Sequence, residues 1–271
     1  MNMKSQQERI LNYLRYQLAK ISHMGKAPHL GSSLSCLDLI YALYKSFLKI
    51  DPKNPNDTKR DRFILSKGHA ISALYVVLAE IGFFEKKLLE TYNQNGSSLP
   101  EHPSPKCISG VECATGSLGH GLSIAAGLAL SAKIKQEKFK VVALLSDGEL
   151  NEGSVWEAAL FAPKQKLGNL VAIVDFNKWQ ATGRSKEITQ LDPLKKKWKN
   201  FGWDAYEIDG HNYAEISETL SKLKLKEKPS ILIANTIKGK GISFMEDDNN
   251  WHYRIPNIED IEAIKEELKI T

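Results

Sequence analysis

Residues 141–177 read VVALLSDGELNEGSVWEAALFAPKQKLGNLVAIVDFN. Two short, wholly apolar runs bracket this stretch, at 141–145 and 170–174. Each has the length of a strand and shows no polar alternation, as expected of a central parallel strand covered on both faces. Between them, 154–166 carries its apolar residues at helical spacing. Strand, helix and strand in this order make a βαβ unit, and the alternation continues downstream. A helix at 194–200 leads to a strand at 205–208, and a helix at 213–224 leads to a strand at 231–234, before an amphipathic helix at 258–268. Strands alternating with helices predict an α/β fold: a parallel sheet with helices on both faces.

Upstream, apolar residues recur at helical spacing over 10–21, and a second helix is expected at 37–47. The polar run DPKNPNDTKRDR at 51–62 reads as a loop, 63–66 as a short extended piece and 70–80 as a helix. The stretch 93–115 is rich in Gly, Pro and Ser and should be loop. Small and apolar residues over 119–133 predict a buried, closely packed helix. A chain of 271 residues is long enough for one large domain, and 1–271 is read as a single unit.

Composition narrows the function. The chain is 42% hydrophobic and 25% charged, with a mild net charge of +5. No basic stripe interleaved with aromatics occurs, so nucleic acid is not expected as a partner. The run Lys195-Lys196-Lys197-Trp198-Lys199 reads as a solvated helix face. The N-terminus is charged and amphipathic rather than a signal peptide, and no segment reaches the apolar length of a membrane span. Three cysteines, Cys36, Cys107 and Cys113, have no metal-ligand spacing and read as reduced thiols of a cytoplasmic protein.

In an open parallel sheet, ligands sit outside the carboxyl ends of the strands. The first apolar run ends in Ser146-Asp147-Gly148-Glu149 and the second in Asp175-Phe176-Asn177. If the two strands are neighbours, Asp147 and Asn177 stand side by side there. A carboxylate and an amide carbonyl are hard oxygen donors that, with phosphate oxygens, suit Mg²⁺ or the looser Ca²⁺. Gly148 lets backbone approach a ligand closely. A helix starting near Gly153 could direct free N–H groups at an anion. By itself, an Asp-Gly at a strand end reads more often as a turn or a helix cap.

The surrounding residues resemble the transketolase family of thiamine diphosphate enzymes. The segment SDGELNEGSVWEAALFAPKQKLGNLVAIVDFNKWQATG is similar to its Gly-Asp-Gly motif followed, roughly 30 residues on, by Asn. SKGHAISALY at 66–75, EHPS at 101–104, TGSLGHGLSIAAGLAL at 115–130, TIKGKGISFME at 236–246 and WHYR at 251–254 resemble further family segments, in order. The resemblance runs from about residue 8 to the C-terminus. It implies a diphosphate-type, thiamine diphosphate-binding fold. It implies Asp147 and Asn177 as metal ligands through their side chains, with Trp179 through its carbonyl. Gly116, Ser117, Leu118, Gly148, Glu149, His69 and His252 are implied around the cofactor. Glu152 is implied at an interface between cofactor domains, where this chain would associate with itself.

Of the seven histidines, His29, His69, His102 and His252 fall inside these segments, and the resemblance implies catalytic positions for them. Imidazoles suit the chemistry: a group near neutrality can take a sugar hydroxyl proton and return it, and a neutral one can donate to a developing alkoxide. His23 and His211 read as structural, whereas His120, where the family has Gln, could meet the diphosphate region or pack. Two departures stand out. The family's Ser-Gly-His-Pro-Gly is Ala27-Pro28-His29-Leu30-Gly31 here, and Ser146 replaces a Gly in a place where it would crowd the diphosphate.

The resemblance also implies what lies elsewhere. In full-length relatives, the Glu that activates the cofactor and most sugar-phosphate contacts belong to a pyrimidine-binding domain. The chain ends at Thr271, so the expectation is the N-terminal-type subunit of a split transketolase. It would be active only with a C-terminal-type subunit that supplies the pyrimidine-binding and C-terminal domains, in an assembly with two copies of each. Its substrates would be a ketose, as sugar phosphate, and an aldose. The alternatives are the α-type component of an enzyme that acts on 2-oxo acids and a non-catalytic module of the same fold. A deoxyxylulose phosphate synthase is disfavoured by length, and a nicotinamide dehydrogenase by the lack of G-x-G-x-x-G after an apolar strand.

Overall fold

A computed structural model describes residues 3–104 and 107–270. The chain runs α1 (Met3–Gly25), α2 (Leu30–Ala42), β1 (Arg62–Leu65), α3 (Ile71–Ile81), α4 (His120–Ile134), β2 (Val141–Ser146), α5 (Gly153–Lys164) and β3 (Leu170–Phe176). A hairpin of β4 (Trp179–Gln180) and β5 (Gly183–Arg184) and the short α6 (Ser185–Ile188) follow. The chain closes with α7 (Leu194–Asn200), β6 (Asp204–Asp209), α8 (Tyr213–Ser221), β7 (Ser230–Asn235) and α9 (Ile258–Glu267). Five strands form one sheet in the order β1-β2-β3-β7-β6, with every pair parallel.

The strand side chains alternate between two cores. Phe63, Leu65, Val142, Leu144, Val171, Ile173 and Leu232 face α1, α2, α3, α8 and α9. Ile64, Val141, Ala143, Leu145, Ala172, Val174 and Ile231 face α4, α5 and α7. Both faces are covered, which is why β2 and β3 are buried along their whole length and read as unbroken apolar runs.

The structure differs from the sequence reading in three places. The second helix begins at Leu30 instead of 37, and its start, Leu30-Gly31-Ser32-Ser33-Leu34-Ser35, is wholly buried. The serines fit there because their hydroxyls are partnered: Ser33 with Ser72 at 2.8 Å, and Ser35 with Asp175 at 2.6 Å. This helix continues as a π-helical turn, Leu43–Phe47. In the lysine run, Trp198 is fully buried against Trp203 and Trp156, so only the lysines form the expected outer face.

A polar hub at the carboxyl edge of the sheet connects four segments. Asp175, at the end of β3, pairs with the fully buried Lys67 and accepts from Ser35 of α2 and from Thr236 after β7. Lys67 also donates to the Ser32 carbonyl at 2.9 Å. Burial opposes the charge on Lys67, but Asp175 outweighs it and holds the ammonium above its ordinary pKa. Removing one partner of such a pair leaves an uncompensated buried charge, which costs about 3–5 kcal/mol. Asp175→Ala is therefore expected to lose about that much in urea denaturation. The double variant Asp175→Leu with Lys67→Met should recover most of it. Equal losses in the two proteins would contradict this account of the hub.

Candidate active site

The register of β2 and β3 sets the site. Ser146 pairs with Asp175, so Asp147 and Asn177 emerge together where the two strands end. Both are buried, at 0% and 4% exposure. Asp147 accepts from the Gly148 N–H at 2.9 Å and from the Ser185 hydroxyl at 2.7 Å. Asn177 Oδ1 accepts from the Trp179 N–H at 3.0 Å. Each of these oxygens keeps a second lone pair. Burial is the main reason that the Asp147 carboxyl is pushed up to about 6. A carboxylate desolvated to this degree is matched by a cation.

Beside this pair lies a cleft of about 220 Å³. It is lined by His29, Ser32, Lys67, His69, His102, Gly116, Leu118, Ser146, Gly148, Asn177, Trp179, Gln180, Ala181 and His252. Four imidazoles converge here from four segments. The His29 ring lies 5.4 Å from His69, 5.9 Å from His102 and 5.0 Å from His252, centroid to centroid. His29 therefore sits at the centre of the group despite the altered motif around it. Its backbone takes the left-handed conformation, φ 70°, and its N–H donates to the His252 carbonyl at 2.9 Å.

Three of these imidazoles, His29, His69 and His252, are held neutral. Burial, then His102 and the buried ammonium groups, lower His29 to about 4. Burial and Lys238 lower His252 to about 3, and burial and Lys67 hold His69 well below its ordinary value. Lys238 donates to Nδ1 of His252 at 3.0 Å, so the neutral ring carries its proton on Nε2. Such groups are better hydrogen-bond donors to a developing alkoxide than stores for a proton, which refines the expectation from residue type alone. Burial also brings Lys238 itself down to about 8.

Some expected contacts are placed differently. The Glu149 side chain does not line the cleft. It is fully buried and accepts from the Ser66 hydroxyl, the Gly119 N–H at 2.8 Å and the Ser146 N–H at 3.3 Å. It locks three of the sequence motifs to one another instead of meeting a ligand. Ser117 is exposed and is not part of the lining, although its neighbours Gly116 and Leu118 are. A one-turn 3₁₀ segment, Gly148–Asn151, intervenes before α5, so the start of that helix does not line the cleft either. Ser146 turns its hydroxyl back to accept from the Glu149 N–H at 3.2 Å. His120 is exposed at the start of α4, outside the cleft. His23 and His211 have structural partners: the Pro256 carbonyl for the first, Asp38 and the Ile237 N–H for the second. Glu152 is exposed.

Sequence reasoning overlooked Lys67, Lys238, Ser32 and Gln180. The signal for the lysines was present: each stands directly after a strand in a glycine-containing turn, SKGH and IKGKG, where a buried ammonium faces the strand ends.

The site fits a divalent ion and a diphosphate. Hard oxygens of Asp147 and Asn177 stand at the ends of neighbouring strands, and nothing bulky stands over Gly148, where an added Cβ would come no closer than 3.5 Å to Gln180. The Gln180 amide nitrogen is buried without a partner at the same wall. Because folding keeps the proton off His29 and His252, they stabilise the chain fully above about pH 6.5 and lose that contribution as pH falls toward 4 for His29 and toward 3 for His252. The thermal midpoint of the isolated chain should fall over this range, and His252→Gln should fall less steeply. Parallel curves for the two proteins would contradict the neutral assignment.

Comparison with known proteins places this geometry. The family model described as "Transketolase, thiamine diphosphate binding domain" matches residues 6–271. The chain is similar to one subunit of the apulose-4-phosphate transketolase of Phocaeicola vulgatus, at 41% identity, over 93% of this chain and 90% of that one. It is also similar to the 6-deoxy-6-sulfo-D-fructose transketolase subunit SqwG of a Clostridium species, at 44% identity, over 84% and 83%. Among solved structures, transketolase from Campylobacter jejuni superposes with a TM-score of 0.90 and 31% identity. That match covers 99% of this chain but 43% of the longer one, so the chain spans about two fifths of a full-length relative.

Proposed function

The chain belongs to the transketolase family, as its thiamine diphosphate-binding part, and from that premise we propose that it is the N-terminal-type subunit of a split transketolase. It transfers a two-carbon ketol unit from a ketose to an aldose, and it does so only with a second chain carrying a pyrimidine-binding domain. The observation that carries this reading is the convergence of four imidazoles beside the buried Asp147–Asn177 pair at one sheet edge.

Asp147 and Asn177, with the Trp179 carbonyl, would hold Mg²⁺ or Ca²⁺. Gly148 admits the diphosphate, and Gly116 and Leu118 border the rest of the cofactor. When bound, thiamine diphosphate supplies the electron sink for breaking a carbon–carbon bond next to a carbonyl. With Nδ1 engaged by Lys238, His252 in the cleft lining keeps Nε2–H to donate to an oxygen on which charge grows. His29, His69 and His102 surround the same space and orient the sugar hydroxyls. The small volume of the cleft supports a site completed by another chain.

One surface bears on assembly. Leu160 and Phe161 on α5 and Ile134 at the end of α4 are exposed at 61%, 40% and 73%, and Glu152 just before α5 is exposed as well. These exposed apolar side chains support self-association through the cofactor domain. No helix among the described residues is long and apolar enough to cross a membrane, and the three cysteines are unbonded; we place the enzyme in the cytoplasm.

The relatives are named for apulose 4-phosphate and 6-deoxy-6-sulfo-D-fructose, so ketoses with an anionic far end are the first donors to test. The test is ketol transfer by this chain alone, by a C-terminal-type subunit from the same genome alone, and by the two together, with thiamine diphosphate and Mg²⁺. Activity is expected only in the mixture, and Asp147→Ala should bring it to background. Full activity of the isolated chain would refute the split assignment. Decarboxylation of 2-oxo acids in place of ketol transfer would move the chain to the α-type subunits.

A further inference from the structure

Glu101 is not explained by the cofactor, the metal or the fold. Its carboxylate Oε1 lies 3.5 Å from Nδ1 of His29, and its side chain is 30% exposed. Among the described residues, no backbone or side-chain donor forms a hydrogen bond with this carboxylate. The Nδ1 atom of His29 is likewise buried without a hydrogen-bond partner. Buried polar atoms are nearly always satisfied, so an orphan at a cleft wall points to a ligand. The two atoms make no hydrogen bond with each other, and at 3.5 Å apart one oxygen seated beside them can reach both. This arrangement suits a group that both donates and accepts.

A hydroxyl is such a group. Its O–H can donate to the Glu101 carboxylate while its oxygen accepts from Nδ1–H of a neutral His29. A carboxylate as acceptor makes the stronger, charge-assisted kind of bond. A third residue completes the setting: the ring of Tyr253, 64% exposed, stands 6.3 Å from the His29 ring and 4.7 Å from that of His252. It offers a flat apolar wall next to the polar pair, which fits the C–H face of a sugar. The negative charge of Glu101 excludes a phosphate or sulfonate from the same position, so the anionic end of the substrate must lie away from it.

We propose that Glu101 is a specificity-determining residue that, with His29, binds one uncharged hydroxyl of the sugar, in a subsite walled by Tyr253. This rests on the ketol-transfer reading above. It selects for a polyhydroxylated carbon chain at this point and against a charged or deoxygenated one.

The experiment uses the assembled enzyme, with its partner chain, thiamine diphosphate and Mg²⁺, and fructose 6-phosphate as the probe ketose. KM and kcat are measured for the wild type, Glu101→Gln and Glu101→Leu, with the Kd of the ketose and of thiamine diphosphate from calorimetry. The loss of a charge-assisted bond predicts a KM about 10-fold or more higher for Glu101→Leu. Glu101→Gln, which keeps a neutral acceptor oxygen, should change it only a few-fold. Both variants should keep the wild-type Kd for thiamine diphosphate and most of kcat. An unchanged KM and ketose Kd in Glu101→Leu would overturn the assignment of Glu101 alone, and so would a change matched by an equal loss of cofactor affinity. A wild-type assembly that binds thiamine diphosphate but neither binds nor turns over the ketose would overturn the ketol-transfer reading and this subsite with it.

Discussion

The buried pairing of Lys67 with Asp175 is the constraint on which the site depends. Asp175 closes β3 two residues before Asn177, and Lys67 leaves β1 two residues before His69. Through Ser35 and the Ser32 carbonyl the pair fixes the start of α2, just after His29. Through Thr236 it fixes the exit from β7, which leads to Lys238 and His252. Two apolar cores hold the sheet and its helices in place, but they would tolerate small slips along the sheet edge. A desolvated ion pair tied to Ser32, Ser35 and Thr236 does not, because any slip exposes an unpaired charge to the interior.

The same two ammonium groups set the electrostatics of the cleft. Lys67, in the cleft lining, and Lys238, bonded to His252, act together with burial to keep His29, His69 and His252 uncharged. The result is a group of neutral rings beside two buried lysines. Uncharged, these imidazoles remain free to bond hydroxyls. Glu149 serves the same end by another route, since it ties the SKGH, TGSLG and SDGE segments into one unit without entering the cleft.

Much of this was legible in the residues. The runs at 141–145 and 170–174 read as central strands because nothing in them could face water, and the pairing of these strands in the structure puts Asp147 and Asn177 at one edge. The histidines were legible only as members of motifs, since a lone imidazole carries no signal about its surroundings. The polar start of α2 was not legible. A serine-rich stretch reads as loop unless its hydroxyls find partners in the core, and those partners, Ser72 and Asp175, are distant in sequence. The surroundings of Glu149, placed near the cofactor only by resemblance, were not legible for a related reason: only the tertiary fold reveals three donors already aimed at it. The burial of Trp198 within a lysine run followed from helical geometry that a charge count ignores.

The central claim is that this chain contributes the metal and diphosphate half of a shared site. Calorimetric titration of thiamine diphosphate into the two-chain assembly, with and without Mg²⁺, tests it most directly, with wild type compared against Asp147→Ala. The account predicts binding that requires the divalent ion and is lost in Asp147→Ala. Equally tight binding without the metal, unaffected by Asp147→Ala, would contradict it.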